Sequence, residues 1–157
     1  MEHNDEALLA EVRSEAPVLQ VPRFDHAIAR RIGMTAATRA ERDGLPVAIG
    51  VMRGAQRVFH AAFEGTTAEH DDWLRRKVNS AVLHEVPSLE LVLRQRVAGR
   101  VPDWLDPHEY AVAGGAVPLF LAGSLVGVVV VSGLTETMRA DHDLAMAAIH
   151  DAIGGAS

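Results

Sequence analysis

The chain has 157 residues, a length typical of one folded domain, and we expect residues 1–157 to form a single domain. Its apolar content of 48% and charged content of 23% are ordinary for a globular protein and exclude a largely disordered chain. A net charge of −6 argues against nucleic acid or an anionic membrane as a partner, and the absence of cysteine excludes disulfides, thiolate metal sites and thiol nucleophiles.

The N-terminal stretch MEHNDEALLAEV is acidic and amphipathic, whereas a secretory signal begins with basic residues and continues with apolar ones. We therefore expect a cytoplasmic protein. Further along, residues 17–23 (PVLQVPR) predict a short strand at the edge of a sheet. An edge position is expected because the two prolines cannot donate the hydrogen bonds of a central strand.

The next part of the chain predicts three helices and one β-hairpin. Gly44 ends the first helix, Pro87 follows the second, and Arg53-Gly54-Ala55 is a turn signal between the two strands. The predicted helices cover residues 25–43, 67–86 and 88–97, and the predicted strands cover residues 46–52 and 56–63.

An uncharged run of 26 residues lies between Glu109 and Glu136, and by length alone it could cross a bilayer as a helix. Pro118 and the turn signal at residues 122–124 instead divide it into two strands, over residues 116–121 and 125–131. Four consecutive valines in the second strand favour a pleated sheet, and both faces of that strand are apolar. The run is therefore predicted to be a buried hairpin and not a membrane span.

A last helix is predicted over residues 138–153, ending at Gly154-Gly155. Helices thus alternate with two hairpins, which predicts an α+β domain: a mainly antiparallel sheet of about five strands with helices packed against it. Gly114-Gly115 stands before a strand, whereas a phosphate-binding loop follows a strand and opens a helix. We expect this glycine pair to allow tight backbone geometry, or the close approach of a ligand, where the strand begins.

Lys77 is the one lysine among fifteen basic side chains. The predicted helix places it at the edge of an apolar face, beside Leu74 and Val78, with Arg75 and Arg76 alongside. Apolar surroundings and neighbouring cations both lower the pKa of a lysine. Lys77 would then grip an anionic group or act as a base; alternatively, its aliphatic stem covers the core while the ammonium reaches solvent.

Two histidines are candidates for a polar or iron-binding role. His60 lies mid-strand, on one face with Val58 and Ala62, where it would ligate a cofactor iron or transfer a proton. The alternative for His60 is a half-buried histidine with a structural hydrogen bond. His142 falls on the same helical stripe as Ala145 and is expected to face the sheet.

Neither a metal site nor a serine hydrolase is expected. The triplets 70–72 (HDD) and 141–143 (DHD) lie on predicted helices, where adjacent side chains point about 100° apart and cannot close on one ion. Ser132 follows a strand, as a nucleophile would, but Val130 stands where the GxSxG elbow requires glycine.

Several short motifs together resemble the haem-degrading-domain superfamily, the HbpS/GlcG-like group. In the second half of the chain these are Gly114-Gly115-x-x-Pro118, Val126-Gly127, Val131-Ser132-Gly133 and an acidic residue that opens the last helix. Upstream motifs resemble a branch called uncharacterised protein family 0303; they are Phe24-Asp25, Phe59-His60-Ala61-Ala62, Gly65-Thr66-Thr67 and the run from Asp71 to Asn79. The resemblance covers nearly all of the chain from about Phe24 onward.

This resemblance implies a profilin-like or PAS-like α+β domain. It also implies homo-oligomers built from dimers, and haem or corrinoid binding, which occurs in some members of the superfamily. The sequence departs from the wider pattern at Ala116, where many relatives have a third glycine, and a methyl group there narrows any site at the strand's entrance.

The leading hypothesis is a homo-oligomeric protein that binds a small anionic or tetrapyrrole-like ligand, such as haem, between helix and sheet. An aromatic content of 4% counts against a porphyrin pocket. The rival hypothesis is an assembly or scaffold protein without a small-molecule ligand, and an acid–base enzyme that uses His60 and Lys77 is a third. In the leading hypothesis Lys77 and Asn79 contact acidic groups, His60 or His142 is an axial or polar partner, and the backbone of Gly114, Gly115, Ser132 and Gly133 lines the mouth.

Overall fold

The computed structural model describes residues 2–154, with side chains from Asn4 onward. This part of the chain contains five α-helices and four β-strands. Four of these helices and all the strands follow the predicted order, and the first helix is additional. The helices are α1 (Glu2–Ser14), α2 (His26–Asp43), α3 (Ala68–His84), α4 (Ser88–Ala98) and α5 (Ala140–Ile149). The strands are β1 (Ala48–Arg53), β2 (Gln56–Ala62), β3 (Ala116–Leu121) and β4 (Ser124–Ser132).

The four strands form one antiparallel sheet in the order β2-β1-β4-β3. Each predicted hairpin is present, and the two hairpins join through their β1 and β4 strands, where Ile49 pairs with Val131. The two halves of the sequence therefore meet at the centre of the sheet.

The sheet has four strands and not about five, because residues 17–23 do not form the predicted edge strand. Ala16–Leu19 instead forms one turn of 3-10 helix, with Pro17 in its first positions, where a missing N–H is tolerated. Only Gln20 then bridges to Phe120 at the outer edge of β3, and the Val21 N–H donates to the Phe120 carbonyl at 2.8 Å. The segment thus lies against the predicted edge of the sheet without extending it.

Helix boundaries follow the predicted start and stop residues. The Asp25 carboxylate accepts a hydrogen bond from the Ile28 N–H at 2.9 Å, and Gly44 ends α2 in a left-handed conformation. Thr67 and His70 form reciprocal capping hydrogen bonds at the start of α3. The last helix begins at Ala140, and after α5 one wider helical turn covers His150–Gly154; Gly155, the second predicted stop residue, lies outside the described residues.

Helices cover both faces of the sheet. On one face α2 and α5 pack over the side chains of Ile49, Val117, Val129 and Val131. On the other face α3 packs over Ala48, Ala116, Val128 and Val130. The four valines 128–131 are therefore buried on both sides, which confirms the buried hairpin, and no helix within residues 2–154 is both long enough and apolar enough to cross a membrane.

Candidate functional site

The seven residues predicted to line a ligand site lie in three different places. Lys77, Gly114, Gly115 and Ser132 are buried where β3 begins and β4 ends, His142 is buried on α5, and His60 and Asn79 lie near an open cleft beside α3. The structure does not bring the seven together into one site.

Lys77 is buried in an ion pair that joins three elements. Its side chain is 3% exposed, and its ammonium donates to the Val131 carbonyl at 3.0 Å and to the Asp141 carboxylate at 3.1 Å. Asp141 also accepts hydrogen bonds from the Gly133 and Leu134 N–H groups. Burial lowers the pKa of Lys77, and the negative charge of Asp141 opposes that effect. Lys77 thus connects α3 to β4 and α5 and leaves no ammonium group at the surface.

Gly115 provides the space that this ion pair occupies. Its φ of +134° lies where other residues are strained, and a Cβ there would stand 2.2 Å from the Val131 oxygen and 3.0 Å from the Lys77 nitrogen. A Cβ at Gly114 would stand 2.9 Å from the Met138 oxygen. The glycine pair therefore allows tight backbone packing where β3 begins, and the close approach of a ligand there stays a prediction.

His142 is fully buried, as its place on the apolar stripe of α5 predicted. Its Nε2 atom lies 2.9 Å from a carboxylate oxygen of Glu15, which follows α1, and its Nδ1 atom has no hydrogen-bond partner in the described part of the chain. The arrangement ties the end of α1 to α5, at a distance from the open cleft.

The cleft, of about 570 Å³, lies between α3 and the β1–β2 hairpin. It exists because α3 packs mainly over β1, β3 and β4 and covers the same face of β2 only sparsely. Aliphatic groups form its floor and polar groups its rim. The lining residues are Gly50, Met52, Arg57, Ala68, Asp71, Asp72, Leu74, Arg75, Val78, Asn79 and Val130.

Most charged and polar groups of the cleft already have protein partners. The Asp71 carboxylate lies 2.8 Å from His60 Nε2, and Asp72 accepts hydrogen bonds from both Arg75 and Arg76. These two arginines hold the pKa of Asp72 below its usual value. Asn79 donates to the Glu109 carbonyl at 2.8 Å, and Arg75 also pairs with the Glu109 carboxylate.

Arg57 is the exception among the charged residues that line the cleft. Its guanidinium makes no ion pair or hydrogen bond with any residue whose side chain the structure describes, whereas Asp71, Asp72 and Arg75 are all paired. The cleft therefore presents one unpaired guanidinium beside an aliphatic floor, while its lining as a whole carries two cationic and two anionic side chains.

The sequence did not single out Arg57 because β2 contains a bulge. Val51 pairs with Phe59 but Met52 pairs with Arg57, so that Val58 is skipped in the register. Val58 and Phe59 both pack into the core beneath α2, and the expectation that Val58 shares a face with His60 is wrong. Strict alternation puts Arg57 and His60 on opposite faces, whereas the bulge brings Arg57 opposite Met52, on the face that also carries His60.

Known proteins match most of the chain. Residues 24–150 match the family described as "Haem degrading protein HbpS-like". The UPF0303 protein of Mesorhizobium japonicum is 34% identical over 150 residues, which cover 93% of this chain and 89% of that protein. The UPF0303 protein of Brucella melitensis biotype 1 is 34% identical over 155 residues, covering 96% and 90% of the two chains.

Three solved structures share the fold at 19–23% identity. The Ybr137w protein superposes with a TM-score of 0.84 over 95% of this chain and 90% of that chain, at 20% identity. HbpS gives a TM-score of 0.67 over 86% and 93%, at 23% identity, and a PduOC:haem complex gives 0.68 over 80% and 92%, at 19% identity. These similarities confirm the predicted α+β architecture.

Proposed function

The chain belongs to the HbpS-like family, and from this premise we propose that it binds a flat, largely apolar molecule with acidic groups, of the tetrapyrrole class, in the cleft between α3 and the β1–β2 hairpin. The observation that carries the proposal is the unpaired guanidinium of Arg57 beside an aliphatic floor. An acidic substituent of the ligand would accept hydrogen bonds from this group, which is suited to binding a carboxylate through two parallel bonds.

The dimensions and lining of the cleft support a ligand of this class. Its volume of about 570 Å³ lies within the range usual for small-molecule sites. Met52, Leu74 and Val78 offer aliphatic contacts to a flat ring system. None of the lining residues is aromatic, so these contacts and Arg57, rather than ring stacking, would provide the affinity.

His60 is the residue suited to an iron-bearing tetrapyrrole. It lies directly opposite Gly50, which lines the cleft, and its Nε2 atom is held by Asp71. An ionised carboxylate only accepts hydrogen bonds, so Asp71 favours the tautomer with hydrogen on Nε2 and a free lone pair on Nδ1. Bound haem would supply an iron that accepts such a nitrogen ligand. The haem in the PduOC complex named above belongs to that protein and supports the class of ligand proposed here.

In this proposal the ligand does not contact the buried residues at the ends of β3 and β4, which are Lys77, Gly114, Gly115 and Ser132. Lys77 fixes α3 against the end of β4, Gly115 leaves the space for that contact, and α3 forms one wall of the cleft. Asn79 joins that wall to the loop that contains Glu109.

The test is a titration of the purified protein with hemin, followed by absorbance in the Soret region. We expect a saturable shifted band, weakened about tenfold or more in Arg57→Gln, because a hydrogen bond to a charged group is lost. Arg53→Gln is the matched control: Arg53 lies on the same hairpin, is exposed and does not line the cleft. Equal affinities of the two variants would contradict the proposed role of Arg57.

The role of His60 is tested separately. His60→Ala should shift the position of the Soret band, whereas His26→Ala, at an exposed histidine on α2, should not. Iron-free protoporphyrin IX should bind both variants equally, because it makes no axial bond. A flat titration with both hemin and protoporphyrin would overturn the tetrapyrrole proposal and favour the rival assembly function.

We further propose that the chain forms homo-oligomers built from dimers. Two features support association: β2 is an edge strand with exposed positions, and Val82 and Leu83 on α3 are exposed apolar side chains. The mass in solution, measured by light scattering, should be an even multiple of 16.9 kDa; a monomeric mass would contradict assembly.

A further inference from the structure

A second cavity, of about 150 Å³, lies between the end of α3, the outer side of α4 and the loop that follows α4. It shares no lining residue with the cleft described above. Its walls combine one indole, two guanidinium groups and two side chains with buried polar atoms. The lining residues are His84, Leu91, Arg94, Gln95, Ala98, Arg100, Pro102 and Trp104.

Two buried polar atoms in this lining have no partner. His84 Nε2 and Gln95 Oε1 are shielded from solvent and make no hydrogen bond in the part of the chain that the structure describes. More than nine in ten buried polar groups in proteins are hydrogen-bonded, since an unsatisfied one costs about 1–3 kcal/mol. Two such atoms in the lining of one small cavity indicate a molecule that hydrogen-bonds to both.

Trp104 forms a preorganised aromatic wall. Its ring centroid lies 4.4 Å from that of His84, and the edge of Tyr110 packs against it at 5.4 Å with the planes nearly perpendicular. These two ring contacts hold the indole in place before a ligand binds.

Both charged residues that line the cavity are arginines. Arg94 and Arg100 line it, and none of its lining residues is acidic. Arg94 pairs with Glu90, and the exposed Arg100 lies 4.0 Å from Asp103, which is itself fully exposed. Burial and the positive charge of Arg94 lower the pKa of His84, so its imidazole is neutral at pH 7 and retains one donor and one acceptor nitrogen.

We propose that this cavity is a second binding site, for a one-ring aromatic carboxylate that carries a hydroxyl group. A cavity of about 150 Å³ holds one benzene ring. The hydroxyl would donate to Gln95 Oε1, and the carboxylate would accept a hydrogen bond from His84 Nε2 and lie near Arg94 and Arg100. The ring would lie against Trp104. The site does not depend on tetrapyrrole binding in the cleft.

The probe is 4-hydroxybenzoate, with fluorescence of Trp104 as the readout. The chain has two tryptophans, and Trp73→Phe removes the other, which lies under Arg76 outside this cavity. We expect saturable quenching by 4-hydroxybenzoate. Benzoate should bind about tenfold more weakly, because it leaves the Gln95 oxygen without a donor. Arg57→Gln should leave both affinities unchanged, which separates this site from the cleft.

Gln95→Met supplies the residue-level test, since methionine has a similar size and offers only a weak acceptor. In this variant 4-hydroxybenzoate and benzoate should bind equally, whereas Gln56→Met, at an exposed glutamine on β2, should keep the tenfold difference. Absence of saturable quenching at millimolar probe, or equal affinities for the two probes in the Trp73→Phe protein, would overturn the proposal and assign the two polar atoms to water. Because 4-hydroxybenzoate and benzoate are also compared in the Trp73→Phe protein, the proposal is tested even if Gln95→Met does not fold.

Discussion

Lys77 illustrates what a single residue reveals before its partners are known. Its position at the edge of an apolar helix face was readable from the sequence, as was a lowered pKa. The partner was not, because Asp141 lies 64 positions away and looks like an ordinary acid in the first turn of a helix. The structure shows that Asp141 accepts hydrogen bonds from Lys77, Gly133 and Leu134.

Removing either member of this pair should destabilise the fold unequally. Asp141→Ala leaves the Lys77 ammonium buried without a counter-charge and should lower the free energy of unfolding by about 3–5 kcal/mol. Lys77→Met should cost less, about 1–3 kcal/mol, because Asp141 keeps two backbone donors. Urea denaturation measures both. Asp143→Ala, at the exposed acid two residues on, is the control and should cost less than about 1 kcal/mol.

The pH dependence of stability provides a second measurement on Lys77. Its pKa in the folded protein lies below the ordinary value of 10.5, so between those two values the unfolded chain binds more protons at this site. The free energy of unfolding should therefore rise with pH across that window, relative to Lys77→Met. A difference between the two proteins that is constant or falls with pH would show that burial does not dominate the environment of Lys77.

Gly115 makes a sharper prediction than Gly54, another glycine with positive φ. Gly115→Ala places a methyl group against the Val131 carbonyl and should destabilise the protein by about 3 kcal/mol or more, as overpacking and backbone strain combine. Gly54→Ala meets nothing within 4 Å and should cost only the left-handed backbone, about 1–2 kcal/mol. Thermal unfolding of the two variants compares them, and equal losses would refute the packing argument.

At the scale of elements, α1 is the helix that was not predicted from the sequence. Its acidic, amphipathic pattern served only to argue against a secretory signal. In the structure Leu9 and Val12 pack against Leu89 and Leu93 of α4. Glu15, just beyond α1, holds the buried imidazole of His142.

The Glu15–His142 contact should anchor the end of α1. Glu15→Ala leaves His142 without any partner in the described part of the chain, and we expect a loss of about 1–3 kcal/mol. Amide hydrogen exchange of residues 2–14 should become faster, as measured by mass spectrometry. Glu11→Ala removes only an exposed ion pair with Arg139 and should leave that exchange nearly unchanged. Identical exchange in both variants would mean that the apolar contacts with α4 hold α1 alone.

At the scale of the whole molecule, local signals predicted most elements and none of the long-range pairings. Glycine and proline residues at the ends of the elements predicted the bounds of α2, α3 and both hairpins to within a few residues. The pairing of β1 with β4, which joins the hairpins, has no local signature. The cleft follows from that same assembly, since it depends on which strands α3 covers and on the bulge at Val58.

The uncharged hairpin has a further consequence once folding is considered as a process in time. The segment 125–131 is apolar, rich in valine and free of proline and charge, which is the composition of aggregation-prone strands. In the native sheet β4 is enclosed by β1 and β3 and has no free edge. During synthesis β1 is translated first, and its partner strand β4 is translated only some eighty residues later. A delay in the pairing of β1 with β4 would leave both apolar strands exposed in the same chain. We therefore expect that rapid formation of the central β1–β4 pair protects the protein from aggregation.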